Sequence, residues 1–298
     1  MMCGDVVSDF CAPEWQLLRA SVRGAAHHRS GQPNQDAARR FQLAGQAQML
    51  ALADGHGSTK SFRSQCGARL AVLAAQQVCK HLVEFEHLSQ CKHWAEEQLP
   101  VAVVRQWQER VERRLARQPF TAAELAPLND AARRQLENQP LIAYGSTLLA
   151  VIVAPKFILY LQLGDGDLLT MTTEGNIVRP FAKDARLIAN ETTSLCSEKA
   201  WNEMQICFQP LAGAPPTLIL MATDGYANSY RDEESFQQVA REYWELLRGT
   251  DQAAVKPYLR DWLNDISQHG SGDDISLGLI WRDETMQFLI DMRSESGC

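Results

Sequence analysis

Short apolar runs alternate with polar turns along the first part of the chain. The clearest of them, Met49-Leu50-Ala51-Leu52-Ala53, has the length and apolar density of a buried strand ending at Asp54. After the turn Gly55-His56-Gly57-Ser58, residues Ala68, Leu70, Ala71, Leu73, Ala74 and Val78 recur at helical spacing, which predicts a helix reaching about Val83. Residues 87–139 are rich in Glu, Arg and Gln and read as a helical layer or insertion, with Thr121 and Glu124 spaced as a capping box at the start of its last helix. Strands return at 147–153, 157–163 and 167–172, a meander turning at Ala154-Pro155-Lys156 and Gly164-Asp165-Gly166. Further strands are predicted at 204–208 and 217–222, then helices at about 233–247 and 252–267, and a closing strand at 275–281. Hairpins and helices gathered in separate blocks predict an α+β layered fold rather than a regular βαβ alternation.

Composition narrows the class. With 298 residues, 45% of them hydrophobic, the chain can bury one large core, and a single domain over 1–298 is expected. A formal net charge of -7 argues against a nucleic-acid partner, because phosphate backbones attract basic footprints. The eight cysteines show no C-x-x-C spacing, so neither a zinc ribbon nor a redox pair is expected and the thiols read as reduced. Asp5 and Asp9 stand where a signal peptide needs basic and then apolar residues, which points to the cytoplasm. The apolar region 141–163 is broken by Gly145, Ser146, Thr147, Pro155 and Lys156, so no membrane span is expected. Oligomeric state is not legible.

Asp36, Asp54, Asp165, Asp224 and Asp273 each lie in a turn or at the junction with a predicted strand, and four of the five adjoin a glycine. Any one alone reads as a turn aspartate. Converging in a core, they would repel strongly unless cations neutralised them, so convergence implies metal. Carboxylates without paired cysteines or an H-E-x-x-H motif form a hard oxygen site suited to Mg2+ or Mn2+. Two such ions ~3.5 to 4 Å apart can share a water and lower its pKa for attack on phosphorus. His56, between Gly55 and Gly57, is then the candidate general acid, a role worth ~10² to 10⁴ in rate.

The same residues fall in a series of blocks. These are Gly24-Ala25-Ala26-His27 followed by Asn34-Gln35-Asp36; Ala53-Asp54-Gly55-His56-Gly57; Gly145-Ser146-Thr147-Leu148; Leu163-Gly164-Asp165; Ala222-Thr223-Asp224-Gly225; and Gly272-Asp273-Asp274-Ile275-Ser276. In this order, over about 15–281, the chain resembles the type 2C (PPM) metal-dependent serine/threonine protein phosphatases of bacterial type. The resemblance implies a four-layer α-β-β-α sandwich with two central antiparallel β-sheets and a site for two Mn2+ or Mg2+ ions, with a third, looser one. It implies hydrolysis of phosphoserine and phosphothreonine in proteins, a phosphoprotein substrate, and a serine/threonine kinase as counterpart. By the same resemblance Asp54 bridges both metals, the Gly55 carbonyl binds one, and Asp224 and Asp273 bind the other. Asp36 holds a metal-bound water, Asp165 joins Asp224 at the third position, and His56 matches the general acid. Where many members carry a phosphate-gripping arginine, this chain has His27, flanked by Arg23 and Arg29; an imidazole does not reproduce a five-donor fork. Gln35 stands where a glutamate is frequent, and Gly166 and Asp167 stand where serine and arginine are usual.

Two rival readings remain. Asp165-Gly166-Asp167, with Thr223, Lys256 and Asp273-Asp274, resembles the haloacid-dehalogenase-like phosphatases, but no apolar strand precedes the final acidic pair, and Asp54 and His56 stay unexplained. A degenerate phosphatase fold that binds phosphoproteins or a kinase through residues 101–136 is motivated by the missing arginine; the complete carboxylate set argues against it. Smaller signals take bland readings. Gly57-Ser58-Thr59-Lys60 has the wrong spacing for a phosphate loop. Asn190-Glu191-Thr192 is a glycosylation acceptor without meaning in the cytoplasm, and the charged run 109–117 is a solvated helix face.

Overall fold

The computed structural model describes residues 15–182, 192–249 and 252–282. Cys3, Asp5, Asp9, Cys11, Asn190, Glu191 and Cys298 lie outside the described residues. Two antiparallel sheets form the centre. In one, β1 (Trp15–Val22), β10 (Ile275–Arg282), β9 (Leu218–Ala222), β6 (Asp167–Met171) and β7 (Ile177–Val178) lie side by side in that order. In the other the order is β2 (Ala37–Gln42), β3 (Gln48–Ala53), β4 (Leu148–Val153), β5 (Phe157–Leu163) and β8 (Gln205–Pro210).

Alternation along β3 shows why the sheets stack. Leu50 and Leu52 point inward to meet Leu17, Leu149, Ile219, Met221 and Ile280 between the sheets. Met49, Ala51 and Ala53 point outward, against Ala68, Ala71, Ala74 and Ala75 of α2 (Ser64–Cys79). These small side chains let helix and strand approach closely, and burying each large apolar side chain contributes ~1.5 to 3 kcal/mol. The second helix on this side, α4 (Leu99–Arg117), buries Val103, Val104, Trp107 and Val111 at helical spacing. On the opposite face α8 (Glu233–Gly249) and α9 (Gln252–His269) supply Phe236, Val239, Tyr243, Leu259 and Leu263 to a separate cluster with β1, β9 and β10. The result is the expected four-layer α-β-β-α sandwich.

Several expectations need correction. α2 ends at Cys79, and a tighter 3-10 turn over Lys80–Glu84 carries Leu82 to the core, a change that periodicity cannot detect within one turn. The Thr121 capping box opens the single-turn α5 (Ala122–Leu125), not the last helix of its block. That helix, α6 (Asp130–Asn138), has its own cap, with Asn129 accepting from the Ala132 N–H at 2.9 Å. α3 (Leu88–Glu97) completes the block, while α1 (Ala25–Ser30) and the two-residue β7 are too short to leave a periodic signal.

Register brings eight strand termini to one end of the sandwich. Val22 pairs with Ile275, Ala37 with Ala53, Leu148 with Leu163, and Ala222 with both Leu277 and Asp167. Here the chain also passes between sheets, from β1 to β2 and from β5 to β6.

Candidate active site

Every sequence-selected aspartate lies at this end. Asp36 precedes β2, Asp54 follows β3, Asp165 sits between β5 and β6, Asp273 precedes β10, and Asp224 follows β9 as the first residue of α7 (Asp224–Ala227). The Asp54 backbone is fixed by Thr147, whose N–H donates to the Asp54 carbonyl (2.9 Å) and whose Oγ1 accepts from the Asp54 N–H (3.0 Å). Gly225 packs so tightly that an added Cβ would lie 2.2 Å from the Asp274 carbonyl oxygen, so only glycine lets α7 reach β10.

The electrostatics show convergence. Burial, then the charge of Asp274, pushes the Asp36 carboxyl up to about 8. Asp54 is held well above the usual carboxylate range by burial and by Asp36, Asp224 and Asp273. Asp224 rises to about 6 through burial and the charges of Asp165 and Asp273, partly offset by the close approach of Asp54. Asp273 is raised by burial, then by Asp274 and Asp165. Asp36, Asp54, Asp224 and Asp273 are thus each raised by burial and by neighbouring carboxylates, with Asp36 buried, Asp54, Asp165 and Asp224 half-buried, and Asp273 open to solvent at the rim.

Their hydrogen bonding is incomplete. Asp36 Oδ2 accepts from Thr223 Oγ1 at 2.9 Å, and Asp224 Oδ2 accepts from Asn228 at 3.1 Å. The Oδ1 atoms of Asp36 and Asp224 are buried without a partner. Among the described residues no ion pair joins any of the five to a lysine or arginine. Orphaned, acid-only oxygens fit hard divalent cations. Among the described residues no three acidic, histidine or cysteine side chains form a closed metal-binding group, so backbone oxygens and water would have to complete the shell of a Mg2+ or Mn2+ ion held here.

Asp274, to which the sequence pattern assigns no role, organises the loops. Its Oδ1 accepts from the Gly24 N–H and its Oδ2 from the Gln35 N–H, both at 2.6 Å. His27 Nδ1 lies 2.9 Å from Asp274 Oδ1 but outside hydrogen-bonding alignment, so this contact is electrostatic. The adjacent Asp273-Asp274 pair is the signal that points to it. Arg23 donates to the His27 carbonyl at 2.7 Å and so braces backbone, while Arg29 is exposed near Gly272. His56 is packed against Gly145, where an added Cβ would fall 2.3 Å from its Cδ2. Burial lowers the His56 pKa, Asp165 opposes that shift, and Lys60 adds to it.

Residues 23–264 match the family model described as protein phosphatase 2C, which spans most of the chain. The chain belongs to the protein phosphatase 2C family. It is accordingly a metal-dependent serine/threonine protein phosphatase that uses Mn2+ or Mg2+ and acts on phosphoproteins. No curated sequence relative matches it. Solved structures share the fold. A bacterial serine phosphatase aligns with a TM-score of 0.54 at 17% identity, covering 91% of this chain and 98% of its own. The Mycobacterium tuberculosis phosphatase PstP/Ppp aligns at 0.52 and 18% identity over 90% and 99%. Stp1 from Staphylococcus aureus aligns at 0.54 and 14% over 91% and 96%. Asp167, the second carboxylate that the haloacid-dehalogenase-like reading requires, is occupied by Arg179.

Proposed function

We propose that Asp36, Asp54, Asp224 and Asp273, with the Gly55 carbonyl, hold two divalent ions for hydrolysis of phosphoserine and phosphothreonine, and that Asp165 reaches toward a third. The observation that carries this is the set of carboxyls raised by burial and by neighbouring carboxylates, with two orphaned oxygens and no lysine or arginine paired to them among the described residues. When bound, the ions supply Lewis-acid activation of water and offset phosphoryl charge. His56 donates a proton to the leaving serine or threonine oxygen. Because burial keeps its pKa below 6.5, the donating fraction increases as pH falls. Thr223 orients Asp36, and Asp274 clamps the Gly24 and Gln35 backbones so that His27 stands beside Asp273 to meet the phosphoryl group.

The helical segment 87–139 is part of one catalytic domain, a reading supported by Trp107 and Val111 sharing a core cluster with β3 and β4. No helix among the described residues is long and apolar enough to cross a membrane. Free Cys66, Cys79, Cys91, Cys196 and Cys207 support a reducing, cytoplasmic setting. A serine/threonine kinase supplies the substrate. The test is hydrolysis of phosphothreonine and phosphotyrosine peptides with Mn2+, Mg2+ or EDTA. Metal-dependent cleavage favouring phosphothreonine is expected; equal activity in EDTA, or preference for phosphotyrosine, would refute it.

A further inference from the structure

We propose that a cavity beside the Asp36 loop is a second subsite, which reads an anionic side chain flanking the phosphorylated residue of the substrate polypeptide. This rests on the phosphatase reading above. The cavity, about 250 Å3, opens between the loop at residues 32–35, the start of α2, and the α4 and α5 region. It is smaller than the ~300 to 1,000 Å3 of sites for drug-sized ligands. It suits one or two side chains of a passing polypeptide rather than a cofactor.

Gln35 forms the wall nearest the catalytic centre. Its backbone N–H is pinned by Asp274, the residue is 8% exposed, and its Oε1 is buried with no partner. An unanswered buried carbonyl is costly to maintain.

Arg63 is fully engaged. It forks both oxygens of Glu124 at 2.7 and 2.9 Å and donates to the Gln118 carbonyl at 2.6 Å. Hydrogen bonds from Arg63 hold Glu124 down at about 2, so this pair is ionised and mutually cancelled. Arg114, on the α4 wall, is exposed, and among the described residues no ion pair or side-chain hydrogen bond engages its guanidinium. Two arginines against one glutamate leave a positive remainder in a chain of net charge -7. That remainder faces a site whose other wall adjoins Asp36, so the anion it takes lies close to the phosphorylated residue. An extended chain advances ~3.3 Å per residue, so the anion is read on a residue flanking the target. A carboxylate and a second phosphoryl group share this chemistry.

The test uses the full chain with Mn2+ and matched phosphothreonine peptides. Their three flanking residues on one side, then on the other, are glutamate, phosphoserine or glutamine. The subsite predicts kcat/KM about tenfold higher for an anionic flank than for glutamine on one of the two sides. The ranking of glutamate against phosphoserine identifies the anion. Arg114→Glu should remove or invert that preference and Arg114→Lys should retain most of it. A wild-type protein indifferent to the flank, or an Arg114→Glu variant with the preference intact, overturns the subsite. Wild-type failure on p-nitrophenyl phosphate, which is too small to reach the cavity, overturns the phosphatase reading itself and is thereby distinguished.

Discussion

Two acidic clusters in this molecule solve the same problem differently. At the outer edge of the β6 and β7 sheet, buried Asp167 and the α8 residue Glu233 share Arg179, whose guanidinium donates to both and lies 5.8 Å from the Phe236 ring. Two residues earlier in sequence, Asp165 enters a cluster with Asp36, Asp54, Asp224 and Asp273 where no lysine or arginine is paired among the described residues. One cluster carries its counter-charge in the chain, and the other leaves oxygens open and carboxyls raised. A folded protein keeps such a deficit only where something external answers it.

The contrast breaks first at Asp54. Asp54→Asn is expected to lower turnover by about 10³-fold or more, the loss of several kcal/mol of transition-state stabilisation. It should also raise the unfolding midpoint of the metal-free protein by relieving repulsion; retained turnover, measured with saturating Mn2+, would count against the ligand assignment. Arg179→Ala reverses the pattern. It should destabilise folding by about 3 kcal/mol, because Asp167 stays buried after losing its guanidinium, while kcat stays within about twofold. Denaturant titration and initial rates measure both, and an unchanged stability would show that Arg179 is dispensable.

A further expected effect is on pH. In the metal-free fold Asp36 titrates at about 8 and Asp224 at about 6, against ordinary values of 3.8. Between these limits the folded state binds more protons than the unfolded state. Its stability is therefore highest at acidic pH and declines as pH rises toward 8. Bound Mn2+ replaces those protons and should flatten or reverse the slope. Urea midpoints at several pH values in EDTA and in Mn2+ measure this, and parallel curves would contradict it.

The strand ends and their aspartates are legible because β3, β5 and β9 are apolar runs that stop at a polar turn, and the Asp-Gly signals mark those stops. Other features depend on contacts that no local pattern records. Asp274 looks in sequence like a neighbour of a ligand, yet it joins backbone groups 250 and 239 residues away. Asp165 and Asp167 are equivalent by composition, and only the arrival of Arg179 from the end of β7 separates a structural carboxylate from a site carboxylate. The Thr121 box is a genuine cap, but of the short α5 rather than of α6, because capping chemistry carries no information about the length of the helix it opens.

Calorimetric titration of metal-free protein with Mn2+ at neutral pH addresses the carboxylate cluster most directly. Saturable uptake of two ions per chain, abolished or reduced by Asp54→Asn and unaffected by Arg179→Lys, is the predicted result. Absence of saturable binding, or binding that survives Asp54→Asn unchanged, would mean that the strand-end aspartates are not the metal centre.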